Sequence, residues 1–171
     1  GAELIGDGSI SADAEILSMT VESMLESGLK NFQISVGHSQ FFYGLTKAAG
    51  LSGEQEENLR ELIANKNFFG VEEFVDSLSM NDKLRKLFGL LDNFDLQDEQ
   101  LMEALKLAKG YDEILSSIDT LLKLREYLKA YGIEKYISYE LGLISDYTYY
   151  TGIIFQGYTY GTGAVSYTHL R

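Results

Sequence analysis

The stretch that most constrains the fold is residues 141–163, LGLISDYTYYTGIIFQGYTYGTG, near the C-terminal end of the chain. Residues 149–155 lead from Tyr-Tyr-Thr-Gly into Ile-Ile-Phe, and β-branched and aromatic residues at this density are typical of a strand. Residues 136–141 have the same character, and the polar segment 144–148 between them is turn-like. Two strands joined by a short polar turn predict a β-hairpin.

This stretch resembles the histidine-specific loop of histidyl-tRNA synthetases and their paralogues. That loop reads Arg-Gly-Leu-Asp-Tyr-Tyr-Thr-Gly and continues into an apolar strand that ends in Phe-Glu. Residues 149–155 match it, Gln156 stands in place of the glutamate, and Ser145 stands at the arginine position. In the synthetase the arginine stabilises charge during adenylate formation, which an uncharged hydroxyl cannot do. The difference favours a paralogue that lacks the synthetase chemistry.

Among these paralogues, the stretch is most similar to the regulatory subunits of ATP phosphoribosyltransferase, the first enzyme of histidine biosynthesis. Their version of the loop also reads Tyr-Tyr-Thr-Gly-Ile-Ile-Phe, followed by Tyr-Thr-Tyr-Gly. The resemblance implies a regulatory subunit that is not itself an enzyme and needs no cofactor. It implies pairing with the short-form catalytic subunit, a homodimer within the hetero-oligomer, and a possible histidine ligand. The alternatives are a fragment of a divergent histidyl-tRNA synthetase and a ligand-free dimerisation module.

The resemblance also implies a histidine pocket. Glu3 and Tyr150 match synthetase residues that hold the imidazole ring, and Tyr149 and Gly152 belong to the same loop. A carboxylate and a phenol can pair with the two ring nitrogens of histidine. Retention of these groups without the arginine is the pattern expected if recognition was kept and chemistry was lost. The alternative is that Tyr150 only packs in the hairpin and Glu3 only ends a strand.

The N-terminal part resembles the end of the second conserved synthetase motif, Phe-Gly-x-Glu-x-x-Gly followed by a helix that starts with Asp-Ala-Glu. A helix capped by Ser9 or Ser11 is predicted to end at Gly28. Asp13 and Glu15 could form an acid–base pair or a metal site. We favour acids placed at a helix start, where the helix dipole stabilises them.

The middle of the chain combines a predicted half-buried strand over 31–37, a helix over 38–49 and a long helical segment. With two histidines in the chain, a metal site or a catalytic triad at His38 has little support, and we expect a structural or surface histidine. A capping box at Ser52 opens the helical segment. Five apolar stripes at helical spacing follow: Leu59, Leu62, Ile63; Val71, Phe74, Val75, Leu78; Leu84, Leu87, Phe88, Leu91; Leu101, Ala104, Leu105, Ala108; and Ile114, Leu115, Ile118, Leu121, Leu122, Leu128.

Composition excludes several classes of function. The net charge of −12 argues against nucleic-acid binding, which requires a basic surface, although the acidity could serve solubility alone. The absence of cysteine removes disulfides, thiolate catalysis and cysteine-based zinc sites. No apolar run approaches the ~20 residues of a membrane span. We therefore expect a cytoplasmic protein without a membrane segment, and a fragment of a longer chain.

The predicted fold is α+β: part of the antiparallel sheet of a class II aminoacyl-tRNA synthetase-like domain, with an all-helical insertion. The predicted divisions are the first part of the synthetase-like domain at 1–52, the helical insertion at 53–132 and the histidine-loop hairpin at 133–164. Residues 165–171 resemble a translated adapter sequence and are predicted to be an artefactual tail, the alternative being a divergent strand.

Overall fold

The computed structural model describes residues 6–144 and 151–159, together with the backbone of Thr168 and His169. Seven helices and four strands lie in this part of the chain. They are α1 (Ile10–Glu26), β1 (Phe32–His38), α2 (Ser39–Ala48), α3 (Gly53–Ala64), α4 (Phe68–Ser77), α5 (Asp82–Phe88), α6 (Asp98–Leu107), α7 (Asp112–Ala130), β2 (Ile137–Tyr139), β3 (Ile153–Thr159) and β4 (Thr168–His169), with a 3₁₀ turn at Glu134–Tyr136 before β2.

The described strands form one mixed sheet in the order β2-β1-β3-β4. β1 pairs in parallel with β2, with Ser35 beside Ser138. β1 also pairs with β3 in antiparallel fashion along its whole length, from Phe32 opposite Thr159 to His38 opposite Ile153. β4 pairs with β3 in antiparallel fashion. Among the described strands, β1 and β3 are therefore internal, and β1 is the one paired along both edges with β2 and β3.

The predicted hairpin between residues 136–141 and the Tyr-Tyr-Thr-Gly strand is wrong, because β1 lies between β2 and β3. The physical reason is burial. All residues of β1 except Gln33 are buried, so this strand is covered on both faces rather than half-buried as predicted. A strand buried on both faces is most stable when both of its edges are paired, because its backbone N–H and C=O groups cannot bond to water. The segments that are adjacent in sequence each pair with it on opposite sides.

Helices α1 and α3 begin at the capping residues predicted from the sequence. Ser9 caps α1 by accepting a hydrogen bond from the Ala12 N–H at 3.3 Å. Gly28, with φ of +90°, ends the same helix. The predicted capping box at the start of α3 is confirmed, because the side chains of Ser52 and Gln55 each accept a bond from the other's backbone N–H. The five apolar stripes coincide with α3 to α7.

One apolar core joins the helices to the sheet. α7 packs against α1, α2 and β1, and α2 also contacts α5. The sheet contributes Phe32, Ile34 and Val36 to this core. The helices after residue 53 therefore share their core with the strands. The divisions proposed for the chain, at 1–52, 53–132, 133–164 and the tail from 165, stay a prediction.

Backbone and side-chain contacts join the segment between α5 and α6 to the outer edge of β2. The Leu96 N–H donates to the Tyr139 carbonyl at 2.9 Å. Arg125 of α7 lies 4.9 Å from the Tyr139 ring centre and pairs with Asp98 at 2.7 Å. A Cβ added at Gly142 would overlap the carbonyl oxygen of Leu91. This close approach places the helical segment beside the sheet.

Gly142→Ala should lower the free energy of unfolding by about 1–3 kcal/mol, because the new methyl group meets backbone atoms that cannot rotate away. Gly53→Ala is the matched control. Gly53 lies at the start of α3, and within the described ranges its added Cβ meets no heavy atom closer than 4 Å. Urea unfolding of both variants measures the difference. Equal stability of the two variants would contradict the close approach at Leu91.

Candidate functional site

The sheet has one apolar face and one polar face. The apolar face packs on the helices: a Cβ at Gly157 would touch Met24 of α1. On the other face, the strand register places Ser35 between Ser138 and Gln156. The two serine hydroxyls lie 3.1 Å apart. We call Ser35, Ser138, Glu140 and Gln156, all of which are buried, the polar sheet face.

Gln156 is the residue that replaces the synthetase glutamate. It lies on β3 opposite Ser35, and its Oε1 accepts a hydrogen bond from the Tyr158 hydroxyl at 3.0 Å. An amide has both a donor and an acceptor, whereas a carboxylate at neutral pH only accepts. The replacement therefore removes one negative charge from the polar sheet face and leaves a neutral group that can still form hydrogen bonds.

Glu140 is the acidic member of the polar sheet face. It follows β2, and its N–H donates to the Val36 carbonyl at 2.9 Å. The residue is only 6% exposed. Burial raises the pKa of the Glu140 carboxyl, while the positive charge of Lys66 and a hydrogen bond from Ser35 oppose that rise. Across the described residues, Glu140 takes part in no ion pair.

Lys66 extends from the corner between α3 and α4 toward the polar sheet face. Its Nζ lies 5.2 Å from the ring centre of Phe94 and 5.8 Å from that of Tyr158. Its backbone has φ of +53° and is held by the bond from its N–H to the Ile63 carbonyl at 2.9 Å. Neither Lys66 nor Glu140 is among the site residues predicted from the sequence. An acid within an apolar strand was a signal for Glu140, whereas no local pattern marks Lys66.

Of the four residues predicted to bind histidine, the structure describes Gly152. Its carbonyl accepts hydrogen bonds from the N–H of Ser39 at 3.0 Å and from the Ser39 hydroxyl at 3.2 Å. These bonds fix the start of β3 against the first turn of α2. Glu3, Tyr149 and Tyr150 lie outside the described residues, as does Ser145. The histidine pocket therefore stays a prediction.

His38 has the structural role that was expected. It is buried at the end of β1, and its Nδ1 accepts a hydrogen bond from the Gln40 N–H at 3.3 Å, which caps α2. Burial lowers the pKa of His38 to about 4. The imidazole is therefore neutral near pH 7, and its capping nitrogen is an acceptor.

Asp13 lies in the first turn of α1, as predicted for an acid at a helix start, and Glu15 lies beyond that turn. Burial, and secondly the charge of Asp7, raise the pKa of Asp13. Over the described part of the chain, no group of three or more histidine, aspartate and glutamate side chains is arranged to hold a metal ion. No described helix is long and apolar enough to cross a bilayer.

The family model of histidyl-tRNA synthetase matches residues 1–165. The chain belongs to this family. Within it, the chain is 35% identical over 170 residues to the ATP phosphoribosyltransferase regulatory subunit of Acetivibrio thermocellus, a match that covers 95% of the chain and 39% of that protein. The chain thus spans about two fifths of the length of this relative. The resemblance to the regulatory subunits is confirmed.

Solved structures show the same fold. An ATP phosphoribosyltransferase regulatory subunit/histidyl-tRNA synthetase from Bacillus halodurans C matches with a TM-score of 0.80 and 28% identity, over 94% of this chain and 42% of that one. The ATP phosphoribosyl transferase complex from Thermotoga maritima matches with a TM-score of 0.62 and 21% identity, over 90% of this chain and 53% of that one. The class II synthetase-like α+β fold is therefore confirmed for this member of the histidyl-tRNA synthetase family, although its sheet is mixed.

The stability of the protein should fall as the pH decreases from about 6.5 to about 4. In this window the unfolded chain binds a proton at His38, whereas the folded chain keeps that imidazole neutral. The loss in the free energy of unfolding that His38 causes across this window is up to roughly 3 kcal/mol. His38→Asn keeps a side-chain acceptor at the cap and removes the titration. Urea unfolding of both proteins at several pH values measures the effect. A stability difference between them that does not change with pH would contradict the depressed pKa.

Proposed function

We propose that the chain is part of a non-catalytic regulatory subunit of ATP phosphoribosyltransferase, the enzyme of the first step of histidine biosynthesis. The observation that carries the proposal is Ser145, which stands where the synthetase loop has its arginine. Adenylate formation requires positive charge near the reacting phosphate, and a serine does not supply it. The similarity to the ATP phosphoribosyltransferase regulatory subunit of Acetivibrio thermocellus supports the same assignment.

The proposed partner is the short-form catalytic subunit of ATP phosphoribosyltransferase. The complex from Thermotoga maritima, which shares the fold, supports this partner. We also propose that the regulatory subunit is a homodimer within the hetero-oligomer and acts in the cytoplasm without a cofactor. The net charge of −12 supports a protein partner rather than nucleic acid.

Histidine would act through linkage. A ligand shifts an equilibrium between two assembly states only if it binds one state more tightly than the other. In this proposal, histidine on the regulatory subunit changes the activity of the catalytic subunit because the two assembly states bind histidine with different affinity. The sheet of this chain would supply part of that binding site.

The full-length protein should increase the turnover of a purified short-form catalytic subunit and elute with it from a size-exclusion column at micromolar concentration. The same preparation should show no exchange of pyrophosphate into ATP in the presence of histidine, because the arginine is replaced. Robust exchange would instead support the alternative of a divergent synthetase. If the protein forms no complex, does not increase turnover and shows no exchange, the result would support the alternative of a ligand-free dimerisation module.

The proposed pocket consists of Glu3, Tyr149, Tyr150 and Gly152. Glu3→Gln or Tyr150→Phe in the full-length protein should each weaken histidine binding by about 1–3 kcal/mol, because a buried polar group of the ligand loses its partner. Tyr131→Phe is the matched control, since Tyr131 is exposed at the end of α7. Isothermal titration calorimetry compares the four proteins. Unchanged affinity in both pocket variants would refute the pocket assignment.

A further inference from the structure

The polar sheet face carries one buried negative charge and has one positive charge near its surface. We propose that Glu140 and Lys66 bind the two ends of a zwitterionic amino acid: Glu140 its ammonium group and Lys66 its carboxylate. This inference rests on the proposed function, which makes histidine the amino acid. It adds two binding residues to the proposed set of Glu3, Tyr149, Tyr150 and Gly152.

Glu140 is a buried acid near the positive charge of Lys66 but without a close ion pair in the described part of the chain. It is 6% exposed, its backbone is fixed by the bond to Val36, and the neutral Ser35 hydroxyl is a hydrogen-bond partner of its carboxyl. A buried carboxylate is costly unless it is paired, and no ion pair to it exists among the described residues. An ammonium group on the polar sheet face would give it an ion-pair partner.

Lys66 is held in place by two aromatic rings rather than by an acid. Phe94 comes from the segment between α5 and α6, and Tyr158 comes from β3, so the ammonium group lies between the helical segment and the sheet. Cation–π contacts restrain a lysine without neutralising its charge. In the part of the chain that the structure describes, Lys66 pairs with no carboxylate within 4.0 Å. Its charge opposes the rise that burial causes in the Glu140 pKa but is not neutralised by a close carboxylate of the described chain.

The backbone of Lys66 gives a second, independent indication. All other described residues with a positive φ are glycines, and four of them follow helices: Gly28, Gly50, Gly110 and Gly132. Glycine is favoured at such positions because a Cβ strains the left-handed backbone. The lysine at residue 66 therefore gives up stability that a glycine would provide. Such strain is found where a side chain is needed for function.

A free amino acid is complementary to this arrangement. Its ammonium and carboxylate groups are opposite charges on one carbon atom, and the polar sheet face offers the reverse pair. The serine hydroxyls and Gln156 are neutral and can form hydrogen bonds to either group. The competing interpretation is that Lys66 only offsets the charge of Glu140. In that case, removing either residue would change stability without changing the choice between ligands.

The test is isothermal titration calorimetry on the full-length protein with three ligands. Histidine carries both charged groups, histamine lacks the carboxylate, and imidazolepropionate lacks the ammonium group. The wild-type protein should bind histidine more tightly than either analogue by about 10- to 100-fold, the range expected for a hydrogen bond to a charged group.

The variants identify which residue contacts which group. Lys66→Asn removes the charge and tolerates the left-handed backbone. It should weaken histidine binding and leave histamine binding unchanged. Glu140→Gln should weaken histidine binding and leave imidazolepropionate binding unchanged. Lys66→Arg should retain most of the affinity. Lys109→Gln, at an exposed lysine between α6 and α7, is the control for the lost charge.

Thermal unfolding confirms that each variant is folded. If Lys66→Asn weakens histidine and histamine equally, or if wild type does not distinguish the three ligands, the inference is wrong. Absence of histidine binding by wild type also overturns it. Increased turnover of the catalytic subunit by that same wild-type preparation would show that the regulatory function nevertheless holds.

Discussion

The structure depends on the double pairing of β1. This strand is hydrogen-bonded to β2 on one edge and to β3 on the other, and both of its faces are covered. Its two ends are also structural: Phe32 stacks on Tyr136 at 4.8 Å, and His38 caps α2. The two strands that carry Ser138 and Gln156 are therefore positioned by β1.

The helical segment is held to this sheet by polar contacts as well as by the shared core. Leu96 donates to the β2 carbonyl of Tyr139, and Arg125 joins α7 to Asp98 while it covers the Tyr139 ring. Arg125 is largely buried, so its ion pair is screened less than a surface pair. Phe94 of the same segment contacts Lys66 at the α3–α4 corner, and the Lys66 ammonium also lies near the Tyr158 ring of the sheet.

The polar sheet face is unusual because its polar side chains are buried. Four buried polar residues lie side by side where apolar residues would stabilise the sheet more. The serine pair and the Tyr158–Gln156 bond satisfy most of these groups within the protein. Glu140 differs from the other three in being an acid, and burial raises the pKa of its carboxyl while the charge of Lys66 and the Ser35 hydroxyl oppose that rise. The proposed site for a small charged ligand would account for this arrangement.

The sequence by itself determined the local elements. Ser9 and Gly28 at the ends of α1 and the capping box at Ser52 were predicted because caps depend on residues within one helical turn. The Tyr-Tyr-Thr-Gly motif identified the family for the same reason, as a run of adjacent residues.

The tertiary structure alone shows which strands are neighbours and which charged side chains meet at the candidate site. Residues 136–141 and 153–159 were expected to pair with each other, yet both pair with β1. A strand pattern records which residues are apolar, and it does not record which strand lies beside it. Lys66 and Glu140 are far apart in sequence, and their proximity follows from the packing of the α3–α4 corner against the sheet. Such proximity depends on the whole core, so no local pattern of residues could predict it.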